Sequence, residues 1–107
     1  MITLLCRFVG TSPGFLDEAR APAALLAAQP TCTSARLARS TDDAGVWILT
    51  AEFDSVPGYR RALSPFDVRT TVVPFLSTAE QGTSGVFEVA VSADTGRVRE
   101  HELLVDP

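Results

Sequence analysis

The stretch VWILTAEFDSVPGYRRAL, residues 46–63, decides the reading of the fold. Its first half is the strongest strand signal in the chain, predicted over Val46–Asp54. One alternating set carries Trp47, Leu49, Ala51 and Phe53; the other carries Val46, Ile48, Thr50 and Glu52. Aromatic and β-branched side chains suit a pleated surface, and apolar residues in both sets imply burial on two sides. Ser55 then offers a side-chain oxygen to the first amides of a helix. Pro57 is tolerated in the first turn, where its missing N–H would have no partner anyway. The helix is predicted over Val56–Leu63.

Working outward, Thr31–Ser40 (TCTSARLARS) reads as a more polar strand, joined to the first stretch by the turn residues TDDAG. Ile2–Val9 is a further strand with apolar side chains in both alternating sets, which places it centrally. Between these two strands, Phe15, Leu16, Ala19, Ala23, Leu26 and Ala27 recur at helical spacing, predicting a helix over Pro13–Ala28 with Ser12 as its cap. Asp17 and Glu18 suit its positive end, and Pro22 predicts a kink or break. Downstream, Ser64–Pro65 interrupts the chain. Phe66–Ala79 reads as a second helical piece broken at Pro74, and EQGTSG as a loop. VFEVAVS is a fourth strand, and DTG turns into a fifth over Arg97–Val105.

The order β-α-β-β-α-β is the split βαβ, ferredoxin-like plan: an α+β domain with an antiparallel sheet, helices on one face, and a C-terminal β arm. The domain is expected over residues 1–91 and the β extension over 92–107. The uncovered face needs a partner, and a second copy of the chain is the economical one, giving a homodimer. A deletion of the arm is expected to weaken that dimer.

Composition excludes several classes. The chain has 107 residues, 46% of them hydrophobic, and a net charge of −4, which argues for a folded single domain. All its cations are arginine, and none cluster beyond Arg60–Arg61, so no nucleic-acid face is expected. The N-terminal apolar run is too short to span a membrane, so a cytoplasmic protein is expected. Cys6 and Cys32 are expected to be reduced. Two isolated cysteines and one histidine, His101, give no metal-ligand spacing, and the glycines form no phosphate loop.

The run GVWILTAEFDSVPGYRRALSPFDVRTTVVPFLSTAEQGTSGVFEV (45–89) resembles the antibiotic biosynthesis monooxygenase family of dimeric α+β barrel proteins. The shared features are a strand ending in an aromatic-acidic-Ser step, a helix with Tyr-Arg-Arg-Ala-Leu, and a strand with Phe-Glu-Val. AAQPTCTSARLARSTDDAGVW is similar to the family's second and third strands, with Thr31 where glycine is usual. The resemblance covers residues 1–91. It implies cofactor-free oxygenation of an electron-rich aromatic (an anthrone or quinol), or action on haem, in a cavity between helices and sheet. It also implies functional positions for an Asn on the first strand, a Trp ending the third, and a His in the second helical region. This chain has Arg7, Phe53, and Thr70 or Thr71 there instead.

The segment 62–76, ALSPFDVRTTVVPFL, therefore matches a pocket wall whose proton-carrying residue is missing. Candidate binding residues are Arg7, Phe15, Trp47, Phe53, Tyr59, Leu63, Phe66, Thr71 and Phe75. Trp47 is either core or a stacking platform for a flat ligand. Tyr59 offers a phenol either to a ligand or to the rim. Arg7, charged within a buried strand, needs a partner: either Glu52 or Glu88 in an ion pair, or an anionic or carboxylate ligand that it anchors in the cleft. The same two carboxylates are the available acid–base pair. Three functions follow: a cofactor-free oxygenase of a small aromatic, a binding or accessory dimer that has lost the chemistry, and a haem degrader. The last fits worst, because the His and Asn are absent.

Overall fold

A computed structural model describes residues 1–104. In chain order the elements are β1 (Ile2–Phe8), α1 (Phe15–Ala27), β2 (Cys32–Arg39), β3 (Trp47–Phe53), α2 (Val56–Ala62), α3 (Phe66–Leu76), β4 (Gly85–Glu88), β5 (Val91–Asp94) and β6 (Arg97–Glu100). The first four strands form one antiparallel sheet in the order β2-β3-β1-β4. This is the ferredoxin-like arrangement expected, with β1 and β3 central. The sheet is open and does not close into a barrel within one chain.

Register sorts the strand residues into two faces. Ile2, Leu4, Cys6 and Phe8 sit opposite Phe53, Ala51, Leu49 and Trp47, and all but the half-buried Trp47 are buried. The helices cover this face. α1 contributes Phe15, Ala19, Pro22 and Leu26, one stripe at helical spacing, and α3 contributes Val68 and Val72. The alternate set, with Thr3, Leu5, Arg7, Thr50 and Glu52, is only half-buried, and Ile48 is exposed. The two-sided apolar pattern read in β1 and β3 thus corresponds to one fully covered face and one bare face.

Several local expectations change. The cap of α1 is Gly14, without a side-chain hydrogen bond, rather than Ser12. α1 and α3 each continue through their internal prolines, Pro22 and Pro74. A proline removes one helical N–H and crowds the carbonyl a turn earlier; those carbonyls belong to Glu18 and Thr70, both exposed residues that water can reach. The cap of α2 is as expected: the Gly58 N–H donates to Ser55 Oγ at 3.1 Å.

The predicted strand 86–92 is two strands in separate sheets. β4 pairs with Ile2–Leu5 of β1, and the Val89 N–H still donates to the Met1 carbonyl at 3.0 Å. After Val89 the chain leaves this sheet and folds back as the β5–β6 hairpin. Thr95 (φ 48°) and Gly96 (φ 82°) form its turn, the pair of left-handed residues a two-residue hairpin loop needs. β6 ends at Glu100, short of the predicted Val105, which lies outside the described residues. His101 closes the hairpin base: its N–H donates to the Ala90 carbonyl, and Nε2 lies 2.8 Å from Ser92 Oγ.

Both cysteines are free. β3 separates their strands, and two strand spacings of about 4.8 Å exceed the Cα separation of about 7 Å that a disulfide tolerates.

Candidate active site

The helix-covered face is filled at one end and hollow at the other. At the filled end Phe8 stacks on Phe75 (centroids 4.8 Å) and tilts against Phe15 (5.1 Å), which in turn meets Trp47 (5.5 Å). At the other end the side chains shorten to Leu4 and Cys6. There an open cleft of about 380 Å³ lies between β1 and β4 below and α2 and α3 above. That volume falls within the usual range for small-molecule pockets, about 300–1,000 Å³.

Leu4, Cys6, Gly85 and Val86 form the floor of the cleft; Tyr59, Leu63, Val73 and Leu76 form the apolar roof. Ser77, Gln81 and Ser84 supply the polar rim. α2 owes its position to a close approach. Buried Gly58 lies where a Cβ would meet Thr31 Cβ at 3.4 Å, and Thr31 Oγ1 donates to the Gly58 carbonyl at 2.7 Å. The next residue, Tyr59, is thereby held over the sheet, its ring edge-on to fully buried Phe53 at 5.4 Å.

The electrostatics are those of a neutral site. Burial pushes the Cys6 thiol up to about 11. Burial, then the neighbouring Cys6, raises the Tyr59 phenol above its ordinary value. Both groups keep their protons at neutral pH. Among the described residues lining the cleft there is no histidine, aspartate or glutamate. The cleft can donate hydrogen bonds to an oxygen of a flat apolar ligand but holds no side chain that would accept its proton.

Of the residues predicted from sequence, Tyr59 and Leu63 line this cleft. Phe53 lies beneath Tyr59. Phe15, Trp47 and Phe75 belong to the filled aromatic end. Phe66 is 73% exposed, and Thr71 and Thr70 are exposed on α3. Arg7 belongs to the bare-face set of β1, and its partner is neither Glu52 nor Glu88 but Glu80, at 2.9 Å. Arg7 also holds the loop beside the cleft: its N–H donates to Ser84 Oγ (3.0 Å), and its carbonyl accepts from the Glu80 N–H (2.7 Å). It is a positioning residue for the cleft rim. Glu52 accepts from Ser34 Oγ and Glu88 from the Leu104 N–H, so the two carboxylates are engaged separately.

Val73 and Leu76 fall in the segment 62–76 expected to be a pocket wall, whereas Cys6, Ser77 and Val86 lie outside the expected set. Leu4 and Cys6 share the β1 face that pairs with Ala51 and Leu49, so the strand alternation carried a signal for that part of the floor. No cluster of three or more metal-ligating side chains occurs among the described residues, and no helix there is long and apolar enough to cross a membrane.

No protein-family model matches the sequence, and no curated protein does. Solved structures do. A variant of SnoaB from Streptomyces nogalater, a cofactor-independent oxygenase, is similar over 82% of this chain and 91% of its own, at 25% identity and a TM-score of 0.67. An antibiotic biosynthesis monooxygenase matches over 81% of this chain and 94% of its own, at 15% identity and a TM-score of 0.60. A Deinococcus radiodurans protein, proposed as a monooxygenase of the same kind, covers 100% of this chain, the hairpin included, with 98% of its own, at 11% identity and a TM-score of 0.59. The match therefore extends past residue 91, where the sequence resemblance stopped. Its fold is similar to that of the antibiotic biosynthesis monooxygenase-type proteins.

Proposed function

We propose that the chain is a cofactor-independent monooxygenase of a small electron-rich aromatic, of quinol or anthrone type, working as a homodimer in the cytoplasm. The observation that carries this reading is the neutral, mainly apolar cleft roofed by Tyr59, in a fold shared with a cofactor-independent oxygenase. A flat ring fits between the Leu4–Cys6 floor and the Tyr59–Leu63 roof. The Tyr59 hydroxyl donates to the substrate oxygen, stabilising the enolate or phenolate as it forms. The substrate carbon then adds dioxygen; one oxygen atom stays as the new carbonyl and the other leaves as water. The bare sheet face, with Leu5 and Ile48, supports the homodimer, since pairing two copies would cover it.

The missing proton acceptor supports a second reading, a dimer that binds such aromatics without turning them over. General-base catalysis contributes about 10²–10⁴-fold, so its absence leaves a slow enzyme or a binder. Oxygen uptake with an anthrone or quinol, with chelator present and flavin absent, separates them. Slow uptake above the protein-free rate is expected. Binding without uptake selects the second reading, and haem turnover or no aromatic binding refutes both.

A further inference from the structure

The filled end carries a second cavity that the monooxygenase reading does not use. About 320 Å³ of space lies outside the aromatic cluster, between the β1–α1 connection and the end of β2–β3. Its walls include Trp47, Arg39, Ser12, Pro13 and Ala44. Arg39 and Trp47 are register partners on the helix-covered face, and the Arg39 guanidinium carbon lies 5.7 Å from the indole centroid. At that distance the guanidinium makes a cation–π contact with the indole, and its planar N–H fork suits a carboxylate. Among the described residues no carboxylate pairs with Arg39. The turn acid Asp43 is engaged by the Gly45 N–H at 2.8 Å.

We infer that this cavity is a second binding site, for a small planar aromatic carboxylate of benzoate or salicylate type. Its ring would rest on Trp47, Pro13 and Ala44, and its carboxylate would meet the Arg39 fork and the Ser12 hydroxyl. The volume is at the low end of the range for ligand pockets and suits one ring better than three. A neutral ring lacks the charge-assisted contact that distinguishes this site from the neutral cleft.

Trp47 is the only tryptophan of the chain, so its fluorescence reports the site directly. Titration with benzoate should change the emission saturably, and benzamide should not at the same concentrations. Arg39→Gln should weaken benzoate about tenfold or more, the scale of one lost charge-assisted hydrogen bond. Arg36→Gln removes the same charge from the opposite face, opposite Thr50, and should leave binding within about twofold, a surface substitution away from the site. No saturable signal, equal responses to benzoate and benzamide, or equal losses in the two arginine variants would each overturn the site.

Discussion

The two ends of one sheet face differ in how completely side chains fill the space between sheet and helices. At the Phe8 end, aromatic rings from β1, α1 and α3 interlock and fill the space between sheet and helices. At the Leu4 end the same strand offers shorter side chains, the layer is under-filled, and a cleft results. β4 flanks β1 only at the Leu4 end, so the cleft reflects both the shorter side chains and the elements that surround them. Stability should reside at one end and ligand binding at the other.

Phe8→Ala tests the filled end and carries the largest expected effect. Deleting a fully buried ring costs about 3–5 kcal/mol, and Phe8 touches both Phe15 and Phe75. Denaturant unfolding should show most of the protein's stability gone; a loss below about 1 kcal/mol would mean the aromatic end is not the anchor.

Alkaline stability sharpens the comparison next. Cys6 has a raised pKa in the folded chain, about 11 against an ordinary 9.0. Its contribution is complete below pH 9 and is lost as the pH rises through 11, because the folded state holds the proton more tightly. Two units correspond to roughly 2–3 kcal/mol. In Cys6→Ala the fall between pH 9 and 11 should be shallower; an unchanged slope would place its origin elsewhere.

At the open end, Val86→Phe should fill space that is already empty. Stability should change by less than about 1 kcal/mol, as for a partly exposed position, while binding of a quinol or anthrone is lost. Tyr59→Phe should have the smallest effect, weakening such a ligand about five- to tenfold, the scale of one hydrogen bond near 1 kcal/mol. If Val86→Phe unfolds the protein and Phe8→Ala does not, the roles of the two ends are reversed.

The sequence made parts of this arrangement legible and hid others for definable reasons. β3 and α2 could be read because Ser55 and Pro57 mark the helix start locally, and Ser55 does cap it. The start of α1 could not, since Ser12 and Gly14 compete for the same role. The split of residues 86–92 depends on how far β4 pairs with β1, a tertiary fact absent from the local pattern. Of the nine residues expected from the sequence, two line the cleft. Tyr59 and Leu63 follow from their helix, but the cleft position depends on volumes contributed by β1, β4, α2 and α3 together. Thr71, one residue before buried Val72, faces solvent; Val73, Leu76 and Ser77 reach the cleft instead.

The central claim is that the cleft holds its substrate but brings no base. The most direct test is the oxygen-uptake rate at neutral pH of Ser77→His beside Thr71→His and the unmodified chain. Ser77, which caps the C-terminus of α3, lines the cleft, and Thr71 is exposed within α3. An imidazole at Ser77 should raise the rate by at least about tenfold, toward the 10²–10⁴ typical of general-base catalysis, and one at Thr71 should leave it unchanged. A rise at Thr71 alone, or an unmodified chain already fast and indifferent to Ser77→His, would contradict the claim.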